Sequence, residues 1–370
     1  MKIYCANPKA QFLSQHLEIE EAVLRVLRSD RYILGTEVMA LEEEFAKYIG
    51  VENAIGVANG TDALEIAIRA LGIGFTDEVI TVSHTAVATV AAIESAGAIP
   101  VLVDVDPLTF TINPLQLSGV ISDKTKAIVV VHIYGQSVDL DAIQDFCKEH
   151  DLKLIEDVSQ AHGASWKGKR LGSFGDVACF SCYPTKNLGA IGDAGLITTS
   201  NNELAKRIRM IREYGWQRRN ISEMIGRNSR LDEIQAAILR VKLRKLDSDN
   251  KKRNEIAAIY SEGLKALPII LPIINSNSIS VFHLYVIRSK FRDRLKDYLI
   301  KCDIEPGIHY PVPIHLQPAY LNRIRTSSNM NVTETLASEI LSLPMYPELN
   351  ETQITRVIST VKKFYKKVVS

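Results

Sequence analysis
Through the first two-thirds of the chain, short apolar runs alternate with segments of helical spacing. Residues 54–58 read as an apolar strand, and residues 62–71 carry helical spacing after Asn59-Gly60-Thr61. Residues 78–82 predict a strand, 87–96 a helix and 99–103 a strand. Residues 127–131 are five apolar residues, four of them β-branched, the pattern of a strand buried on both faces. Residues 140–149 predict a helix, and 153–155 a strand that runs into Glu156-Asp157. Residues 177–182 alternate as a strand does. Continuous apolar strands separated by helices predict an α/β fold, a mostly parallel sheet flanked by helices.

The texture changes near residue 246. Residues 231–246 read as one long helix, and a second helical segment runs from Lys251-Lys252-Arg253 to residue 267. A β-segment (280–287), a helix (292–301), a His- and Pro-rich loop (308–318) and a terminal helix (351–365) follow. The chain therefore divides into a large domain, 1–246, and a smaller α+β domain, 247–370. Residues 266–287 carry no charge, but Pro268, Pro272 and the Asn275-Ser276-Asn277-Ser278 cluster break the run. It predicts two short strands around a turn, not a membrane span.

Composition narrows the classes. The 370 residues hold 44 Lys+Arg and 43 Asp+Glu, a net charge of +1, with 46% hydrophobic and 24% charged residues. That is a globular balance without the clustered positive charge a nucleic-acid binder needs. The segment from Met1 to Pro8 lacks an apolar signal core, and the five cysteines are odd in number and sparse. A reducing, cytoplasmic setting is expected. Cys179 and Cys182 form a CxxC inside the alternating strand, so a core role is expected over a redox or metal one.

In open α/β sheets, ligands sit beyond the carboxyl ends of the strands. The residues to inspect are thus Asn59-Gly60-Thr61, Ser83-His84-Thr85, Asp104 to Asp106, His132-Ile133-Tyr134-Gly135, Asp157-Val158-Ser159-Gln160 and those after Phe180. Asn59-Gly60-Thr61-Asp62 places a glycine and a hydroxyl at a helix start. This is either a phosphate seat of free N–H groups, or an ordinary cap made by Thr61 or Asp62. Asp157 ends an apolar strand, where it either holds a cationic ring nitrogen or caps a turn. Lys186 follows a strand within Tyr183-Pro184-Thr185-Lys186-Asn187-Leu188-Gly189. It is either a surface charge or an amine nucleophile of lowered pKa. Together, the seat, the acid and the lysine are the three attachments that pyridoxal phosphate needs.

Here the residues resemble a known family, the DegT/DnrJ-type nucleotide-sugar aminotransferases of the fold-type I pyridoxal-phosphate enzymes. The matching segments are residues 59–64, 156–163 and 180–195, then Asn228-Ser229-Arg230-Leu231-Asp232-Glu233-Ile234-Gln235-Ala236-Ala237 and His309-Tyr310-Pro311-Val312-Pro313-Ile314-His315. The resemblance implies Lys186 as the Schiff-base lysine and proton shuttle. It implies Asp157 as partner of the pyridine nitrogen and Gln160 as neighbour of the ring hydroxyl. Gly60, Thr61, the Asp62 N–H and Ser181 become the phosphate seat. Asn228 becomes a phosphate ligand given by a second subunit, hence a homodimer with shared active sites. Tyr183, Arg230, His309, Tyr310 and His315 become sugar-side contacts. Related enzymes stack an aromatic residue on the ring where this chain has Ala86, so either His84 takes that role or the ring face is covered differently.

The resemblance implies amino transfer from L-glutamate to a nucleotide-linked keto-sugar. It favours C3 of a dTDP-linked 3-keto-6-deoxyhexose. Alternatives are C4 of a UDP- or GDP-4-keto sugar, a cyclitol-type ketone, or a catalytically silent pyridoxal-phosphate-binding regulatory protein. Lys186 argues against the dehydratase relatives, which carry histidine there. Arg218, Arg219, Arg227 and Arg230 form a candidate cluster for the diphosphate.

Overall fold
The computed structural model describes residues 2–369. Seven strands build the body of the main sheet: β1 (Asn53–Val57), β2 (Glu78–Val82), β3 (Ile99–Val103), β4 (Thr125–Val131), β5 (Lys153–Asp157), β6 (Val177–Ser181) and β7 (Gly195–Thr199). Their order is β1-β7-β6-β5-β4-β2-β3, and Arg325–Thr326 adds a short parallel strand outside β3. Among the described residues, β7 alone is antiparallel, running against both β1 and β6. The fold is the α/β arrangement of fold-type I enzymes that the sequence predicts.

The apolar strands are buried because helices cover both faces. Ile128 and Val130 of β4 meet Leu41 and Phe45 of the helix Thr36–Ile49 and Leu239 of Glu233–Leu243 on one side. Ala127 and Val129 meet Ala63, Ile66 and Ala67 of the helix Gly60–Ala70 and Ile208 of Asn202–Ile211 on the other. The same alternation sends Cys179 into the second core and Cys182 into the first. The two thiols therefore face different cores, the strand reading of the CxxC.

A separate core gathers Ile256, Tyr260 and Leu264 of the helix Leu246–Leu264 with Leu295, Leu299, Leu343 and Val357, and Ile3 joins it. The strands Tyr285–Arg288 and Ile340–Leu343 pair antiparallel within it. Two expectations change. The helix expected over 231–246 ends at Leu243 and a new one starts at Leu246. Between them the Lys245 N–H turns to the Lys242 carbonyl at 3.0 Å, a tightened last turn that stops the ladder. The two strands expected within 266–287 also shift. Ile270 makes a single bridge to Arg288, and Pro268 and Pro272, lacking N–H donors, prevent a longer pairing. Ladder pairing falls instead to Ser278–Ile279 and Tyr285–Arg288. Among the described residues, no helix is long and apolar enough to cross a membrane.

Candidate active site
Register brings the strand ends together. Gly195 of β7 pairs with Val57 of β1 on one side and Ser181 of β6 on the other. Asp157 of β5 pairs with Val131 of β4 and Cys179 of β6. Gly60, Thr61, Asp62, Asp157, Gln160, Ser181, Tyr183 and Lys186 consequently line one cavity of about 530 Å³.

The helix Gly60–Ala70 begins at this wall. Its cap is Asn59, whose extended backbone lets the side-chain oxygen accept the Asp62 N–H at 2.8 Å. The expected cap by Thr61 or Asp62 is thus corrected, and the Asp62 N–H is engaged within the chain. The Gly60 and Thr61 N–H groups have no partner among the described residues, and they sit at the positive end of the helix. The Asp62 carboxylate turns away to Arg227, 3.1 Å from its guanidinium. Glycine is required at 60 because a Cβ there would lie 2.5 Å from the Ser181 Cβ. The helix start and the Ser181 hydroxyl therefore share one concave seat.

Lys186 stands in the loop after β6, its N–H bonded to the Tyr183 carbonyl at 2.8 Å. The loop is held from behind. Lys242 Nζ donates to the Gly189 carbonyl at 2.6 Å and to Gln11 Oε1 at 2.9 Å, and Asn187 Nδ2 donates to Asn250 Oδ1 at 2.8 Å. Burial pushes the Lys186 pKa below the ordinary lysine range, against the opposing pull of Asp157. Asp157 is aimed by two donors, Thr89 Oγ1 at 3.1 Å and the Ser159 N–H at 3.1 Å. Gln160 Oε1 accepts the Tyr134 N–H at 2.7 Å, and its Nε2 donates to the Tyr310 hydroxyl at 3.3 Å. His309 bonds Ser342 Oγ at 2.8 Å, and burial lowers its pKa to about 4.

Other candidates fall elsewhere. His84 is buried among Phe110 and Tyr134 and bonds the Tyr134 hydroxyl at 2.8 Å, off the cavity wall. Its place there is taken by Thr85 and Ala86, which corrects the ring-stacking role. His315 has both ring nitrogens engaged within the chain, on Ser83 Oγ at 2.7 Å and Glu334 at 3.2 Å, and is not among the residues lining the cavity. Asn228 is exposed on the segment that bridges Glu213, outside the cavity. Arg230 faces Glu213 at 3.6 Å and lines a second surface hollow with Arg219. Thr85 and Ser159 are named in the sequence only as strand-end residues, without a role, and Thr89 is not singled out; the four-residue spacing of the two threonines across a strand-to-helix turn was the available signal.

The residues present fit pyridoxal phosphate. The seat offers free N–H groups and hydroxyls to a phosphate, and the glycine at 60 leaves the space a Cβ would fill. An oriented carboxylate and a desolvated lysine face the same cavity. A parallel α/β sheet with these three features at its carboxyl edge defines an aminotransferase-type site.

The sequence comparisons agree. The model of the DegT/DnrJ/EryC1/StrS aminotransferase family matches residues 14–362, and the chain belongs to that family. It is 43% identical over 97% of its length to a dTDP-3-amino-3,4,6-trideoxy-alpha-D-glucose transaminase of Streptomyces venezuelae, covering 95% of that protein. It is 48% identical over 94% of its length to a dTDP-3-amino-3,6-dideoxy-alpha-D-galactopyranose transaminase of Aneurinibacillus thermoaerophilus, covering 95% of it. A crystal structure of S. venezuelae DesV in complex with a ketimine intermediate superposes with a TM-score of 0.96 at 42% identity, covering 99% of each chain.

Proposed function
We propose that this protein is a pyridoxal-phosphate-dependent aminotransferase moving an amino group from L-glutamate to C3 of a dTDP-linked 3-keto-6-deoxyhexose. The observation that carries the reading is the meeting of Lys186, Asp157 and the Gly60–Ser181 seat in one cavity. The two transaminases named above, both on dTDP-3-amino sugars, support dTDP and C3 over UDP, GDP or C4.

The Gly60 and Thr61 N–H groups and the Thr61 and Ser181 hydroxyls would hold the phosphate. Asn228 of a second subunit completes that seat in a cytoplasmic homodimer with shared sites. Asp157, aimed by Thr89 and Ser159, would keep the ring nitrogen protonated. Gln160 would face the ring hydroxyl. When bound, pyridoxal phosphate supplies the electron sink for charge left on the donor's α-carbon. Lys186 Nζ takes the α-proton, and burial favours the free amine this needs. Tyr183, His309 and Tyr310 would face the sugar. Residues 1–246 form the cofactor domain and 247–370 the domain that closes on it.

Lys186→Ala should abolish the visible absorbance of the lysine-bound cofactor and slow transamination about a thousandfold. Undiminished turnover would refute the assignment. Presenting 3-keto and 4-keto sugars on dTDP and on UDP, with L-glutamate, tests the acceptor, and 3-keto dTDP-sugar is expected to win. Thermal protection by dTDP separates this reading from a cyclitol substrate.

A further inference from the structure
Tyr134 lies in the short turn after β4, and every polar group it has is used, each on a different segment. Its N–H donates to Gln160 Oε1 at 2.7 Å. Its carbonyl accepts the Leu284 N–H at 3.3 Å. Its hydroxyl donates to the His309 carbonyl, in a short bond. That uses the hydroxyl's only proton, so His84 Nε2, 2.8 Å away, must be the donor to the same oxygen. Burial holds the His84 imidazole neutral, with its pKa near 4, so one tautomer makes this bond.

The backbone of Tyr134 is in the left-handed region, φ 62°, ψ 3°, where a bulky side chain is rarely found. Such a conformation persists when its surroundings over-determine it, and four hydrogen bonds do so here. The ring is packed edge-on against His84 and Phe110, at centroid distances of 5.8 and 6.0 Å. The next residue presses on the chain beyond: a Cβ on Gly135 would meet the Phe282 and His283 nitrogens at 2.9 Å. Gln160, which Tyr134 orients, lines the cavity and also donates to the Tyr310 hydroxyl. Thus one residue grips the cofactor-side amide at residue 160 through its backbone N–H and the His309 carbonyl through its hydroxyl, and reaches the Tyr310 phenol through Gln160.

We infer that Tyr134, buttressed by His84, is a positioning residue that sets His309 and Tyr310 at a fixed height over the cavity for the acceptor sugar. Rigidity between cofactor and sugar contacts is what selects one carbonyl position of a hexose over its neighbour, since adjacent ring carbons are closer than a mobile loop can resolve. This inference rests on the aminotransferase reading for the identity of the acceptor, not for the geometry.

The test separates the two half-reactions. Tyr134→Phe keeps the ring, the N–H and the carbonyl, and removes only the hydroxyl. Conversion of the lysine-bound cofactor by L-glutamate, followed by absorbance, should stay within about twofold of wild type. The KM for the dTDP-linked 3-keto sugar should rise about tenfold, because the His309 carbonyl loses its buried donor. Amination of the 4-keto sugar should gain relative to the 3-keto sugar. A general structural role would instead slow both half-reactions together, and that result, or an unchanged KM, overturns the inference. If Tyr134→Phe does not fold, His84→Gln carries the test: the same split, smaller in size, supports the inference, and equal losses overturn it. Calorimetric binding of the dTDP-linked keto-sugar keeps the two readings distinguishable. Wild-type protein that binds but never turns over sinks the aminotransferase reading alone. Tyr134→Phe should still bind about tenfold more weakly, and unchanged binding refutes the positioning role.

Discussion

Replacing Gly60 with alanine tests the phosphate seat directly. The new Cβ would stand 2.5 Å from the Ser181 Cβ and 2.9 Å from its Cα, both rigid parts of β6. Carbon atoms rest at about 3.5–4.0 Å, so the helix start and Ser181 must part by about 1 Å. Overpacking of this kind costs about 1–3 kcal/mol of stability. The same displacement takes one donor out of reach of a bound phosphate, and a hydrogen bond to a charged group contributes about 1.5–3 kcal/mol. The expected loss of pyridoxal-phosphate affinity is therefore about 10- to 100-fold. Denaturant melts of the apoprotein read the first effect, and titration with the cofactor followed by visible absorbance reads the second. Gly119→Ala is the control, because a Cβ there meets nothing within 4 Å. It should change stability by less than about 0.5 kcal/mol and leave cofactor affinity alone. If Gly60→Ala binds the cofactor as wild type does, the seat is not where the helix meets β6.

Two further outcomes follow from buried groups. His84 and His309 have pKa values lowered to about 4, and His162 to about 3, from the ordinary 6.5, in each case chiefly by burial. Unfolded chains take up these protons at higher pH than the native protein does, so stability falls as pH drops from about 6.5 toward 4. His283, buried likewise, is lowered in the same direction. With four such groups the slope approaches about 5 kcal/mol per pH unit, readable as urea midpoints against pH; a flat profile down to pH 4.5 would contradict the burial. Glu233 accepts the Gly35, Glu37 and Val38 N–H groups at 2.7, 2.9 and 3.1 Å, closing the start of the helix Thr36–Ile49. Glu233→Ala should cost about 3 kcal/mol in chemical denaturation and Glu233→Gln less, and equal, negligible costs would show the cap to be incidental.

What could be read in the sequence was what neighbours in the chain encode. The buried strand β4 announces itself because Ala127-Ile128-Val129-Val130-Val131 has no polar position to give a face to solvent. Asp157 and Lys186 could be picked out because strand ends are local features, and topology puts strand ends of parallel strands on one edge. β7 escaped notice because Gly195-Leu196-Ile197-Thr198-Thr199 is half polar; Thr198 is fully buried only because its hydroxyl finds the Gly172 carbonyl at 2.8 Å. The start of the helix Thr36–Ile49 was equally silent, since its acceptor comes from Glu233, far along the chain. His84 illustrates the same limit. Its position beside the site was visible, but its partner Tyr134 lies 50 residues on, and no spacing rule links them. The partner of His315 is equally out of reach of any spacing rule, its ring bonding Ser83, 232 residues earlier.

Ile3 forms its bridge with Ile304 and is buried in the core of residues 256–365. A few residues later, Gln11 is the acceptor that helps Lys242 brace the lysine loop. During synthesis, then, Ile3 has no docking place until residue 304 has left the ribosome. The strands that carry Asp157 and Ser181 emerge earlier still, and the brace behind Lys186 follows once Lys242 and Asn250 are out. The lysine loop is therefore secured only after residue 250 has emerged, and a cofactor encountered earlier in translation would meet it unbraced.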